Sequence, residues 1–233
     1  MPLQVLVVED DDRIRAILRL ALEDEGYEVA EAGDAETALD LARSNPPDLM
    51  LVDLMLGATD GYTCIREVRR NSDIPIVVVS ARSDTHDIVA GLEAGADDYV
   101  TKPFQVKEIT ARLRALRRRL RTASDAAEPD VVLDADPRRS LVLSQARGAA
   151  RLDGTDVPLT VTEFRLLSEL ASVPGRVLSR PTLLEAVWEH GFYGDERIVD
   201  VHIRRLRTKI ERDPSHPRIV VTVRGLGYRL DPQ

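Results

Sequence analysis

Apolar and polar positions alternate along the first 121 residues in a way that predicts strand and helix by turns. Leu3 to Val8 reads as a strand running into Glu9-Asp10-Asp11-Asp12. Ile14, Ile17, Leu18, Ala21 and Leu22 then keep helical spacing until Gly26. Tyr27 to Glu31 reads as a second strand, Ala35 to Arg43 as a helix, and Leu49 to Asp53 as a third strand. Gly61 to Arg70 is helical, Ile74 to Ser80 a valine-rich strand, Asp84 to Ala94 a helix ended by Gly95, and Asp98 to Val100 a short strand. Val106, Ile109, Leu113, Leu116 and Leu120 close the series with helical steps. Repeated alternation of this kind implies a parallel sheet covered on both faces.

Thr122 to Pro129 has small and polar residues without periodicity and reads as a linker, so the chain divides into 1–121, 122–129 and 130–233. Beyond the linker, Val131 to Leu133, Ser140 to Leu143 and Val157 to Leu159 read as short strands, with Asp153-Gly154 as a turn. Thr160 and Glu163 form a capping box that opens a helix. Ser179 caps a helix running to Trp188, and Asp195 and Glu196 begin a third. Val220 to Leu230 turns back on itself through Gly225 and Gly227. Three helices before a hairpin predict an α+β winged helix-turn-helix domain.

Within the first region, Asp48 to Leu56 is an apolar run that predicts a strand buried on both faces, with Asp53 emerging at its carboxyl edge. A carboxylate embedded there is costly unless cations or hydrogen bonds meet it; its plainest role is to cap the next loop. Glu9 and Asp10 leave the neighbouring first strand at the same edge, where carboxylates about 4 Å apart repel by about 4 kcal/mol at an effective dielectric near 20. Such a cluster with oxygen ligands only calls for a divalent cation, Mg2+ being the natural one. A solvated acidic loop explains Asp11 and Asp12 but not an aspartate on another strand. Ser80 and Lys102 end the fourth and fifth strands at that edge. Lys102 either balances charge or, with the Ser80 hydroxyl, binds oxygens of a phosphoryl group carried by Asp53.

Charge changes the picture at the other end. The whole chain of 233 residues carries a net charge of -8, which argues against indiscriminate nucleic-acid binding. Residues 1–121 hold 16 Lys/Arg against 23 Asp/Glu, whereas residues 197–229 hold nine against three. In that basic segment Val199, Ile203, Leu206 and Ile210 form a buried stripe, and the opposite face carries Arg197, Val201, Arg204, Arg205 and Thr208, flanked by His202, Lys209 and Arg207. Arginines with a small apolar side chain suit a DNA major groove; a solvated charged helix is the ordinary alternative. The single cysteine, Cys64, has no partner thiol in the chain and reads as packed and reduced. No stretch of 18 apolar residues and no charged leader are present, so the expectation is a soluble cytoplasmic protein with no membrane contact.

Val7-Val8-Glu9-Asp10-Asp11, Asp53-Leu54-Met55-Leu56, Asp60-Gly61, Ser80-Ala81, Gly95-Ala96-Asp97-Asp98-Tyr99 and Thr101-Lys102-Pro103-Phe104 closely resemble the receiver domain of two-component response regulators. The C-terminal half resembles the OmpR/PhoB-type winged-helix output domain. The resemblance implies a flavodoxin-like α/β receiver with strand order 2-1-3-4-5, and Asp53 as acceptor of a phosphoryl group from a sensor histidine kinase. It implies Mg2+ held by Asp10, Asp53 and the carbonyl of Met55, with Glu9 acting through a water. Ser80 and Lys102 would bind the phosphoryl oxygens, and Tyr99 would rotate inward as Ser80 moves.

The resemblance also implies a phosphorylation-dependent homodimer, with Asp97 paired to Arg112 and Asp98 to Arg119 across two protomers. A third pair of the pattern fails, because Ile88 stands where a basic residue usually faces Glu108. On promoter DNA, bound as paired half-sites, Arg205 and Val201 would face bases. Arg197, His202, Arg204, Arg207, Thr222 and Tyr228 would meet phosphates, and Arg224 on the wing would probe the minor groove. His190 to Gly194 matches the loop that contacts RNA polymerase in the family. Two further departures stand out: Gly57 in place of the usual proline, and a segment from Ser140 to Arg151 longer than the usual hairpin.

Two other functions compete. A haloacid-dehalogenase-type phosphatase would need a second aspartate two residues after Asp53, where Met55 stands. A DNA-binding protein indifferent to phosphorylation would not require the complete set Glu9, Asp10, Asp53, Ser80 and Lys102. The expected role is a transcription factor, not an enzyme.

Overall fold

The computed structural model describes residues 2–57, 60–121, 130–188 and 196–233, with the helical backbone alone over 114–121. The chain forms two compact units, Met1–Arg114 and Ala115–Gln233. In the first, five strands, β1 Gln4–Val8, β2 Glu28–Ala32, β3 Leu49–Val52, β4 Ile76–Ser80 and β5 Asp98–Thr101, form one parallel sheet in the order β2-β1-β3-β4-β5. The intervening helices are α1 Asp12–Asp24, α2 Ala35–Ser44, α3 Gly61–Arg69 and α4 Thr85–Ala94, and α5 Val106–Arg121 follows β5 and runs past Arg114, where the first unit ends. This is the doubly wound order that the family resemblance implied. The order reverses between β1 and β3, so the strands' carboxyl ends open a crevice at that point.

The central strands are apolar throughout because both faces are covered: every residue of β3 and β4 is buried. The helices begin where the sequence supplies caps. Asp11, Asp34, Asp60 and Asp84 each accept hydrogen bonds from the first-turn amides of α1, α2, α3 and α4. In α1 the core face is narrower than the apolar pattern suggested. Leu18 and Leu22 are buried, but Ile17 is 54 % exposed, because it lies about 100° around the helix from Leu18.

The second unit begins with a four-stranded antiparallel sheet, β6 Val131–Asp134, β7 Leu141–Ser144, β8 Ala149–Leu152 and β9 Thr155–Val157, in sequential order. The unexplained segment from Ser140 to Arg151 is therefore the β7–β8 hairpin, whose second strand the sequence reading left out. Asp153 and Gly154, at φ 52° and 80°, make the two-residue turn into β9. Three helices follow, α6 Val161–Ser172, α7 Arg180–Trp188 and α8 Arg197–Ile210, and then the hairpin β11 Val220–Val223 with β12 Gly227–Leu230. The short strand β10 Val177–Leu178 pairs with β12 and completes a three-stranded sheet. Apolar residues from all three helices, among them Leu167, Leu183 and Leu206, form its core. This is the winged-helix arrangement that the element order predicted. The linker 122–129 and the loop His190 to Gly194 lie outside the described residues.

Candidate functional site

The crevice at the carboxyl edge of the parallel sheet collects the acidic groups. β1 delivers Glu9 and Asp10, and Asp53 follows β3 directly, its amide donating to the Val8 carbonyl at 2.9 Å. Among the described residues these three are the set whose carboxylate oxygens come within 4.8 Å of one another, Glu9 and Asp53 buried and Asp10 exposed. Lys102, just past β5, reaches between them. Its amine donates to Asp53 Oδ2 at 2.6 Å and to both oxygens of Glu9 at 3.0 and 2.8 Å. Burial pushes the Glu9 carboxyl above its ordinary range, and Lys102 and nearby Asp53 modify that. Burial alone would lower the Lys102 amine, but its bonds to Asp53 and Glu9 outweigh it and the amine is raised.

Buried carboxylates and a cation spanning them leave a site of hard oxygen donors, the chemistry Mg2+ prefers. Asp53 Oδ1 accepts from the Met55 amide at 3.1 Å, while the Met55 side chain is 52 % exposed at the mouth of the crevice. Gly57 takes φ 64°, a conformation closed to proline, so the loop after Asp53 follows a path that the family's usual residue could not.

Ser80 is fully buried at the end of β4, and its hydroxyl accepts from the Arg82 amide at 3.3 Å. The resemblance has Tyr99 rotating inward as Ser80 moves. Here it already lies inside, 6 % exposed, its hydroxyl donating to the Arg82 carbonyl at 2.6 Å and its ring against Gly91, which has no side chain to block it. Burial pushes its phenol up to about 12.

The expected cross-protomer pairs need correction. Asp97 is completely buried, ion-paired with Arg69 of its own chain and accepting from the Ile76 amide at 3.0 Å. It cannot reach a second protomer without being pulled from the fold. Asp98 pairs with Arg112 of the same chain at 2.8 Å, and Arg112 also binds Glu108 at 2.8 Å. The side chain of Arg119 lies outside the described residues.

In the second unit α8 presents Arg197, Arg204 and Thr208 to solvent, and Arg224 stands exposed on the turn between β11 and β12. Arg205 is largely covered, its side chain 16 % exposed and its Nε 3.1 Å from the buried carboxylate of Glu163. Arg207 braces the hairpin. It donates to the Val220 carbonyl at 2.5 and 2.8 Å and to the Thr222 hydroxyl at 2.9 Å, and its burial lowers its pKa.

Three residues assigned to the DNA face depart from it. Val201 is 7 % exposed and His202 fully buried, the imidazole packed 5.4 Å from the Trp188 ring. The buried stripe of α8 is wider than a four-residue repeat because α6, α7 and the hairpin all press on it. Tyr228 is 4 % exposed, and its hydroxyl donates to Asp200 at 2.6 Å, an oxygen that also holds Arg180 at 2.7 Å. Burial and Asp200 push the Tyr228 phenol up to about 12. The sequence reading missed Asp200 and Arg180. The available signal was a carboxylate placed three residues after Arg197 and four before Arg204 on an otherwise basic helix.

Fold and crevice together define a receiver domain joined to a winged-helix output domain, and comparison with known proteins agrees. Residues 5–114 match the response regulator receiver domain, and residues 154–230 match the C-terminal domain of transcriptional regulatory proteins. The chain is 46 % identical over 229 residues to the transcriptional regulatory protein AfsQ1 of Streptomyces coelicolor, covering 98 % of each chain. It is 43 % identical over 229 residues to the DNA-binding response regulator MtrA of Mycolicibacterium smegmatis, covering 98 % of this chain and 97 % of that one. Among solved structures it resembles the response regulator DrrB, an OmpR/PhoB homologue of Thermotoga maritima, with TM-score 0.53, 30 % identity and 99 % and 100 % of the two chains covered.

The chain belongs to the OmpR/PhoB-type two-component response regulators. It is a transcriptional regulator with a receiver and a DNA-binding domain, not an enzyme, and this architecture implies a histidine kinase upstream and DNA downstream. No described helix is long and apolar enough to cross a membrane.

Proposed function

We propose that Asp53 is the phosphoacceptor through which a sensor histidine kinase controls promoter binding by α8 and the wing, in the cytoplasm. The observation that carries this reading is the Lys102 amine spanning buried Asp53 and Glu9. A cation held over two desolvated carboxylates offsets the cost of burying their charge and sets a positive group beside the Asp53 oxygens, where a phosphoryl group would arrive. An Asp53 oxygen attacks phosphorus, the bond from phosphorus to the kinase's imidazole nitrogen breaks with its electron pair going to nitrogen, and an aspartyl phosphate forms. Lys102 then turns its charge to the phosphoryl oxygens, and the Ser80 hydroxyl supplies a second donor.

Mg2+, bound by Asp10, Asp53, the Met55 carbonyl and, through water, Glu9, would neutralise the incoming phosphoryl charge. Tyr99 and Ser80 both bond to Arg82, so a displacement of Ser80 toward the phosphoryl group disturbs the same loop that holds the Tyr99 hydroxyl. We further propose a homodimer formed through the receiver when Asp53 is phosphorylated. The Asp98–Arg112 pair stays within one protomer, and the buried Asp97–Arg69 pair takes no part in the dimer.

On DNA, Arg197 and Arg204 meet phosphates, Arg205 a base edge and Arg224 the minor groove, with two half-sites read by two protomers and RNA polymerase recruited beside them. Arg207, Thr222 and Tyr228 hold the hairpin against α8. Replacing Arg205 with alanine should cost about 1–3 kcal/mol and relax base preference, whereas Arg204→Ala should chiefly reduce the salt slope by about one. Footprinting of genomic DNA by the wild type and by Asp53→Asn, each with and without kinase, tests the coupling. Phosphorylation should lower the concentration needed only for the wild type, and identical footprints at low concentration would refute it. Sedimentation with beryllofluoride tests the dimer, which a monomer would refute.

A further inference from the structure

Glu163 is the third residue of α6 and closes the capping box: the Thr160 hydroxyl accepts from the Glu163 amide at 3.4 Å, and Glu163 Oε2 accepts from the Thr160 amide at 3.0 Å. A capping box asks no more of this residue than one acceptor near the surface, and glutamine serves as well. Here the side chain is wholly buried and charged, a costly arrangement unless cations meet it. Both cations come from α8. Lys209 donates to Oε2 at 2.7 Å, and Arg205 Nε stands 3.1 Å from Oε1. Arg205 and Lys209 lie four residues apart, on one side of the helix, and so converge on a single carboxylate anchored to a different element.

We infer that Glu163 is a positioning residue for DNA recognition, its buried charge holding the Arg205 guanidinium against α6 as an ion pair and so restricting where the terminal nitrogens can point. This deepens the reading of α8 given above and rests on it. Those terminal nitrogens are the pair that an arginine offers to O6 and N7 of guanine. A long side chain with many rotamers discriminates between bases only if its fork arrives in one orientation. A buried carboxylate tied to the α6 backbone supplies that orientation, and the 16 % exposure of the Arg205 side chain agrees with its being held before DNA arrives. Arg197 and Arg204, assigned above to phosphates, are exposed, whereas Arg205 is not.

The test uses the full chain and a duplex selected by the wild type from random DNA, with each base pair then replaced in turn. Glu163→Gln keeps the capping acceptor and removes the charge. At the base pair where Arg205→Ala loses discrimination, Glu163→Gln should lose about tenfold in the ratio of affinities, with the salt slope and the affinity for unrelated duplex unchanged. The double variant should discriminate no worse than Arg205→Ala alone, which a merely structural role for Glu163 would not produce. A wild-type ratio in Glu163→Gln, or additive losses in the double variant, would overturn the inference. If Arg205→Ala itself discriminates like the wild type, the α8 reading fails instead. Where Glu163→Gln does not fold, side-chain relaxation of the Arg205 guanidinium in the unaltered free protein decides. Restricted motion supports the tether, and motion as fast as that of an exposed arginine refutes it.

Discussion

Replacing Lys102 with methionine removes the cation from the crevice while keeping the bulk of the side chain. The amine lies 2.6 Å from Asp53 and 2.8 Å from Glu9, and the three side chains are 15 %, 5 % and 2 % exposed. Taking one partner from a buried pair costs about 3–5 kcal/mol, because the remaining charge stays desolvated. Here two carboxylates remain, and they repel each other. Protonation of Glu9, already favoured by burial, limits the loss, so about 3 kcal/mol is the expected figure at neutral pH. With a urea slope of about 2 kcal/mol/M, that is a fall in midpoint of roughly 1.5 M.

The assay separates the two units. Trp188 is the chain's single tryptophan and lies in the output domain, so its emission should keep the wild-type midpoint while far-ultraviolet circular dichroism shows an early transition. The sign of the pH dependence follows from the raised carboxyl. Stability associated with protonated Glu9 is present below the ordinary carboxylate range and lost as pH rises through the raised value, so the variant's deficit should shrink on acidification. Mg2+ should restore more stability to the variant than to the wild type, where the amine competes for the same oxygens. An unchanged midpoint, or a deficit that grows in acid, would refute the electrostatic reasoning.

Other expectations follow from particular contacts. A Cβ on Gly227, at φ 143°, would stand 2.1 Å from the Leu178 carbonyl oxygen. Gly227→Ala should therefore unseat β12 from β10 and lower the Trp188 unfolding midpoint while leaving phosphorylation intact; an unaltered midpoint contradicts the packing. With the Tyr99 and Tyr228 phenols raised to about 12, the stability they contribute is full below pH 10 and lost as pH rises toward 12. Ultraviolet titration should show a late component that Tyr99→Phe and Tyr228→Phe each reduce, and a single ionisation near pH 10 would contradict it. Asp97→Asn should destabilise the receiver unit by about 3 kcal/mol by leaving Arg69 buried without its carboxylate, measured by urea unfolding. A loss confined to dimerisation would restore Asp97 to the interface.

The parallel sheet was legible because strand-like and helical stretches alternate and β3 and β4 are apolar on both faces, while its strand order came with the family resemblance. The crevice was legible for the same reason: Glu9, Asp53, Ser80 and Lys102 each sit at the carboxyl end of a readable strand, so topology alone converges them. What escaped was set by tertiary packing. The helical period of α8 identifies one buried stripe but not how many neighbours press on it, so Val201 and His202 were placed outside. Asp97 and Asp98 are adjacent acids in sequence, and nothing local says that one faces Arg69 inside while the other meets Arg112. Glu163 read as a cap because its second role depends on a helix some forty residues away. Tyr228 was assigned to a phosphate through the family resemblance, which carries no sign of Asp200, its partner on α8.

The central claim is that a phosphoryl group on Asp53 governs the output domain, and incubation of the full chain with acetyl phosphate and Mg2+, followed by intact-mass analysis and peptide mapping, tests it most directly. The account predicts one acid-stable, base-labile adduct of phosphoryl mass, located at Asp53, absent from Asp53→Asn and much reduced in Lys102→Met. No adduct, or one carried equally well elsewhere when Asp53 is replaced, would contradict it.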